Sequence, residues 1–408
     1  MGQPPKRGRH NSVRRRPIGV APFIRPQRTA SMTAPPDPTP RITFAAIDIL
    51  RAVAALLVVV YHVSVLGNWS GVERGEIWLL LNRGWIGVDL FFVISGFVIS
   101  WAALNTYAQD PTSFRMSFAR RRFWRIVPLY VLTCAIYLFM VAPTLLQSPL
   151  KDLAVHVLSH ALFIHNLHPT TYGSINGVAW SVALEVQFYV LIALVMPRLA
   201  RTHPHRALLA TAVFALLYRY VTTLIWVPGG ASTAVIHQMV AVTQLPGVID
   251  QFACGIFLAV VLHRGHGALA RSLRVGWGNF ALWAVLATGL LTVALKVHMT
   301  YTHWDLPAMV VLWRPLLTLG LTALVAAAIV FPWAEARVLA PLRYLGVISY
   351  GIYLWHLLIV HGLTGQAPKI QGYQLLATVV ICTLLMASLS WHAFEKPWVL
   401  QSRTPKAA

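Results

Sequence analysis

The chain has 408 residues, 57% of them apolar and only 11% charged, and a formal net charge of +21. A soluble domain carries about 25% charged residues, so a water-soluble enzyme or repeat protein is excluded. The positive charge is no nucleic-acid signature either: Lys and Arg gather in the N-terminal tail and between long apolar runs, as in loops that meet anionic headgroups.

Residues 1–41 are rich in Arg and Pro, with Asp37 as their single acid and no apolar periodicity. This tail is expected to be disordered. It lacks the apolar core of a secretory signal, and its prolines spoil the amphipathic helix of a transit peptide. Met32 is an alternative start. Residues 42–398 form a membrane domain, followed by a short cytoplasmic tail at 399–408.

Apolar runs of spanning length predict an all-α integral membrane protein of about ten transmembrane helices. They fall at about 44–66, 86–104, 126–145, 180–197, 207–227, 237–262, 276–297, 308–331, 344–364 and 373–393. The segment 153–167, with His156, His160 and His165, is short and reads as a re-entrant or interfacial helix. Ten spans with both termini cytoplasmic put 25 of the 33 Lys and Arg inside, 4 in outer loops and 4 in spans. An eleventh span would invert several basic loops, against the positive-inside bias. Cys134, Cys254 and Cys382 sit in apolar segments without ligand spacing and read as small buried residues.

Ionisable side chains inside spans are costly and tend to mark a functional path. The first span holds Asp48, Arg51 and His62. Eleven residues separate Arg51 from His62, which places them on one helix face about 16 Å apart along the axis. Asp48, three residues before Arg51, is expected to pair with it. Such a face suits an elongated anionic ligand with a reactive tip. The second span opens as GWIGVDLFFVISGF, where Asp89 enters from the His62 side and is expected to orient that imidazole, or else to cap the helix start. Gly87 and Gly96 in the same motif permit close packing.

The segment 105–125 reads as a hydrophilic loop ending in ARRRFWRIVP. Its Arg120, Arg121, Arg122 and Arg125 are either a positive-inside anchor or a phosphate site. WSVALEVQFY places Glu185 among apolar neighbours, where it must be paired or protonated. Asp250 and Gln251 lie in the sixth span. Arg314 stands at the outer end of the eighth or in the loop before it. ISYGIYLWH puts Ser349, Tyr353 and His356 on one face, lining a wet cavity or bonding neighbouring helices, with a structural role expected for His356. No zinc-ligand spacing, nucleophile elbow or Gly-rich phosphate loop occurs, which leaves general acid–base transfer as the plausible chemistry.

The Arg51-x10-His62 pair, GVDLFFVISGF, RRRFWRIVPLY, WSVALEVQFY, DQFACG, SYGIYLWH and the final Glu395–Pro397 occur in that order over residues 43–398. Together they resemble the membrane-bound acyltransferase-3 family, whose members O-acylate bacterial surface polysaccharides and other carbohydrates or natural products. The resemblance implies a multi-pass protein of the bacterial inner membrane. No cofactor is permanently bound; acyl-CoA, usually acetyl-CoA, serves as donor, and a carbohydrate hydroxyl, lipid-linked or free, as acceptor. O-antigen and exopolysaccharide come first among acceptors, then a periplasmic glucan or a macrolide-like molecule.

By the same resemblance Arg51 and His62 are essential. Arg51 would hold the phosphate end of CoA, assisted by Arg121, Arg122 and Arg125, while His62 acts as base, oriented by Asp89 or Glu185, with a covalent acyl-His intermediate as the competing route. Asp48, Asp250, Arg314, Tyr353 and His356 are placed in support. Some relatives add an extracytoplasmic hydrolase domain. The sequence stops soon after Pro397, so the membrane domain is expected to complete the transfer alone. A glycan transporter or flippase is the competing reading; neither inverted repeats nor paired broken helices are evident in the sequence.

Overall fold

A computed structural model describes Met1, Gly2 and residues 44–69, 78, 81–226, 232–366 and 370–402. The tail expected to be disordered lies almost wholly outside the described residues. Among the described residues there are helices and turns and no strand. This is what apolar spans dictate, because a helix satisfies its own backbone where no water is available.

In chain order the helices are α1 (Ala45–Leu66), α2 (Ile86–Gln109), α3 (Phe114–Met140), α4 (Leu150–Ala161), α5 (Trp180–Leu199), α6 (Pro204–Ile225), α7 (Ser232–Val242), α8 (Leu245–Arg264), α9 (Gly267–Ser272), α10 (Trp277–Thr300), α11 (Arg314–Val330), α12 (Ala340–Val347), α13 (Ser349–Gln366), α14 (Gly372–Ser390) and α15 (Lys396–Gln401). A π turn, Met309–Trp313, leads into α11, and another, Trp391–Glu395, joins α14 to α15. Nine helices among the described residues are long and apolar enough to cross a membrane, or ten if α12 and α13 count as one bent span. The interfacial reading of 153–167 agrees with α4, which is 12 residues long and followed by a single 3-10 turn.

α2 is the hub, packed against α1, α5, α8 and α11. Of its central apolar stretch 67% is buried, against 11% for α10 at the rim. Small residues bring the backbones together there. A Cβ on Gly96 would collide with the Phe252 backbone, and one on Gly255 with Val93 and Phe97, so α2 and α8 touch main chain to main chain. Gly87 likewise abuts the Ala54 carbonyl of α1, as the motif suggested.

Three features depart from the sequence expectation. The arginine run 120–125 is helical rather than a loop: α3 begins at Phe114 and continues for 27 residues, about 40 Å. That exceeds a hydrocarbon core of about 30 Å, so the helix has length to spare for its charged turns. Second, the ninth predicted span is broken at Ile348, with a bend of 61° between Arg337–Val347 and Ser349–Thr364. The break frees the Val347 carbonyl, which accepts a hydrogen bond from Arg125 Nη2 at 3.1 Å. Third, the sixth span is interrupted at Thr243–Gln244, where Pro246 in the first turn of α8 can offer no N–H. Broken helices therefore exist, although the sequence pattern did not reveal them.

Candidate active site

Two chambers meet inside the bundle. The first is lined by Arg51 of α1, Ser95 of α2, Arg122 and Arg125 of α3, Glu185 and Tyr189 of α5, and Ser349 and Tyr350 of α13. The second, of about 510 Å³, is lined by His62, Asp89, Arg314, His298, His303 and the aromatic walls of Trp85, Tyr172, Trp180 and Trp304. Val88, Phe92 and Tyr353 belong to both linings and form the wall between them.

In the arginine chamber, helical spacing aims Arg122 and Arg125 to one side. Arg122 lies over the rings of Phe118 and Tyr189, at 5.5 and 5.7 Å from their centroids. Arg125 is fixed by the Val347 carbonyl, by Glu395 at 3.8 Å and by the Trp391 ring at 5.2 Å. Arg121, expected beside them, instead turns to Thr106, whose Oγ1 accepts from its Nη2 at 2.8 Å. Helix geometry explains this, since residues one apart point about 100° away from each other.

The expected Asp48–Arg51 pair does not form either: neither residue takes part in an ion pair within 4.0 Å among the described residues. The Asp48 backbone lies close to Gly346, on which a Cβ would overlap the Asp48 carbonyl. Arg51 faces the chamber. Glu185, proposed as an orienter of histidine, also belongs here, accepting hydrogen bonds from Tyr189 Oη at 2.5 Å and Ser95 Oγ at 3.3 Å.

In the second chamber Asp89 does not hold His62. Its Oδ1 accepts from Gln251 Nε2 at 2.6 Å and lies 3.5 Å from Arg314 Nε. Behind it a second buried pair joins Asp250 to Arg219, with Nη2 to Oδ2 at 2.8 Å and Nη1 to the Gly247 carbonyl at 2.7 Å. Both carboxylates are thus already claimed by guanidinium groups. Arg219 was missed from sequence, although a lone Arg within an apolar span was a sufficient signal.

The partner of His62 is His356. Nε2 of His356 lies 3.2 Å from Nδ1 of His62, and His356 is fully buried. The tautomers follow from the hydrogen-bond network. His356 Nδ1 faces the carbonyls of Tyr353 at 2.7 Å and Ile352 at 3.3 Å, so it must carry a hydrogen, and Nε2 is then an acceptor. His62 Nδ1 faces the Val58 carbonyl at 2.9 Å and that acceptor, so it too carries the hydrogen. His62 Nε2 is left as a free base, with no protein partner among the described residues. His356 thus bonds a neighbouring helix, as its structural reading expected, and the group it reaches is the His62 ring. Tyr353, one turn before it, hydrogen-bonds Ser181 Oγ at 2.6 Å and the Val178 carbonyl at 3.0 Å, fixing the dividing wall. No cluster of His, Cys, Asp and Glu among the described residues has the arrangement of a metal site.

A family model described as an acyltransferase domain, the acyltransferase-3 model, matches residues 44–394. Among similar proteins, one of Bacillus subtilis (strain 168), provisionally named peptidoglycan O-acetyltransferase YrhL, is 27% identical over 367 residues, covering 86% of this chain and 54% of the relative. The peptidoglycan O-acetyltransferase OatA of Listeria monocytogenes is 25% identical, covering 86% and 55%. A protein of Komagataeibacter xylinus, provisionally named membrane-bound transacylase BcsY, is 28% identical over 76% of this chain and 71% of its own length. The chain thus spans about half the length of two of these relatives. No solved structure matches. With the family model covering nearly all of the helical bundle, the chain belongs to the acyltransferase-3 family.

Proposed function

We propose that the protein transfers an acyl group, acetyl by preference, from acyl-CoA to a hydroxyl of a cell-surface glycan across a bacterial cytoplasmic membrane. The observation that carries the reading is the pair of chambers sharing one wall. One is lined by guanidinium groups and the other by an imidazole whose Nε2 is free to accept a proton. The planar guanidinium groups of Arg51, Arg122 and Arg125 match phosphate oxygens. The thioester would reach the Val88–Phe92–Tyr353 wall while the charged end of CoA stays behind it. The aromatic walls of the second chamber suit the apolar faces of a sugar ring, and peptidoglycan, the acceptor in the names of two relatives, favours a glycan.

In the reaction, His62 Nε2 takes the hydroxyl proton as the acceptor oxygen bonds to the thioester carbon. The C–S bond then breaks, and the CoA thiolate leaves with the proton returned from the imidazolium. While charged, His62 donates through Nδ1–H to His356 Nε2 and the Val58 carbonyl, both of which are in place beforehand. The test is thiol release from acetyl-CoA by purified protein supplied with a glycan acceptor. A positioned base contributes about 10²–10⁴-fold, so His62→Ala should fall by that factor. Wild-type release that proceeds undiminished in His62→Ala, with the variant intact in the membrane, refutes the reading. Glycan movement without thiol release would favour a transporter.

A further inference from the structure

A second cavity system, with no lining residue in common with the active-site chambers, lies among α5, α6 and α8. It is a crevice of about 280 Å³ lined by apolar and small residues, among them Leu191, Val195, Ala207, Ala253 and Phe257. Small side chains are part of its lining: Ala207 and Thr211 on α6 and Ala253 on α8. At one end the crevice reaches Arg198 and Thr202, and these two also line a shallow basic depression with Arg115 and Arg201. The turn that carries them is clamped, because Arg264 Nη2 donates to the carbonyls of Ala200 at 3.3 Å and Thr202 at 2.8 Å. Arg115, Arg198 and Arg201 are all exposed, and none pairs with a carboxylate among the described residues. The crevice and the arginine chamber share no lining residue.

We propose that this crevice and its basic mouth are a binding site for one anionic phospholipid, its acyl chain between α5, α6 and α8 and its phosphate among Arg115, Arg198 and Arg201. The argument is complementarity within one amphiphile. A hydrocarbon slot on membrane-spanning helices takes a chain, and three cations at one end of that slot take an anionic headgroup. A free phosphate matches only the mouth, and a zwitterionic lipid brings a cation of its own to a mouth that already holds three. The bound lipid would brace the α5–α6 turn. α5 carries Glu185 and Tyr189 into the arginine chamber, so the lipid would hold that helix from behind. The proposal does not depend on the acyl-transfer reading.

The test is native mass spectrometry of the full-length protein after equilibration with vesicles of equimolar dioleoylphosphatidylglycerol and dioleoylphosphatidylcholine. Wild type should retain one lipid, predominantly phosphatidylglycerol. Arg198→Gln with Arg201→Gln should lower that preference by about fivefold per arginine removed. Ala207→Phe, which fills the slot, should abolish retention of either lipid while the helical circular-dichroism signal is kept; Thr211→Leu is the milder variant if Ala207→Phe fails to accumulate. Equal retention of both lipids by wild type, or unchanged retention in the variants, overturns the proposal. Displacement of the lipid by acyl-CoA also overturns it, because the site would then belong to the donor.

Discussion

Replacement of His356 separates the dyad from a lone histidine base. In the wild type, His356 Nε2 accepts from His62 Nδ1 at 3.2 Å, alongside the Val58 carbonyl at 2.9 Å. His356→Leu removes the first acceptor and keeps the second, so the tautomer of His62 survives while the imidazolium formed during transfer loses one charge-assisted hydrogen bond. Such a bond is worth about 1.5–3 kcal/mol, and each 1.36 kcal/mol is tenfold in rate. The expected loss in kcat/KM is therefore about 10- to 100-fold, smaller than for His62→Ala.

His356→Gln can place a carbonyl oxygen near the lost Nε2 and should recover part of that loss. Folding should be little affected, since the His356 Nδ1 bonds go to the carbonyls of Tyr353 and Ile352 within its own helix. The assay is thiol release by protein purified in equal monomeric yield. Full activity in His356→Leu refutes the dyad. So does a loss equal to that of His62→Ala with no rescue by Gln, because His356 would then act directly on the reaction.

Three further outcomes follow from the same geometry. Arg51→Lys should raise KM for acyl-CoA nearly as much as Arg51→Ala, because an ammonium cannot reproduce two-pronged phosphate contact; a Lys variant with wild-type kinetics removes that contact. Arg219→Leu strands the buried Asp250 carboxylate and should destabilise the fold by about 3–5 kcal/mol, whereas Arg219→Leu with Asp250→Leu should recover most of it in thermal unfolding. Finally, burial holds His160 down to about 4 and His165 down to about 3 from the ordinary 6.5. The unfolded chain thus binds more protons below pH 6.5, and the stability these residues contribute is complete above that value and lost as pH falls toward 4 and 3. Hydrogen exchange in 150–179 should accelerate over that window, and His160→Phe with His165→Phe should flatten the response.

What could be read from sequence was whatever depends on the chain's own periodicity. Span positions, the interfacial α4, the shared face of Arg51 and His62, and the close approach at Gly87 and Gly96 all follow from local spacing against a fixed bilayer thickness. What could not be read was the choice of partner between helices. Asp89 and His62 start from the same side in adjacent spans, yet Asp89 is taken by Gln251 and Arg314 from α8 and α11. His62 is taken by a residue 294 positions away. Asp48 fits Arg51 by helical spacing, yet the two make no ion pair among the described residues. The break at Ile348 was hidden for a related reason: hydropathy is continuous through it, and its stabilising donor, Arg125, comes from α3.

The dividing wall bears on how catalysis avoids becoming a leak. Val88 and Phe92 come from the hub helix, and Tyr353 is tied to Ser181 and Val178, so the partition is built on packed elements rather than a loop. A transporter needs such a partition to open wide enough for its whole cargo. Acyl transfer needs only a thioester to touch it from one side and a hydroxyl from the other. The buried ion pairs fit the second case, since Arg219–Asp250 and Arg314–Asp89 fasten α6, α8, α2 and α11 to one another. Rocking of one half of the bundle against the other would break them, at a cost of several kcal/mol for each charge left unpaired.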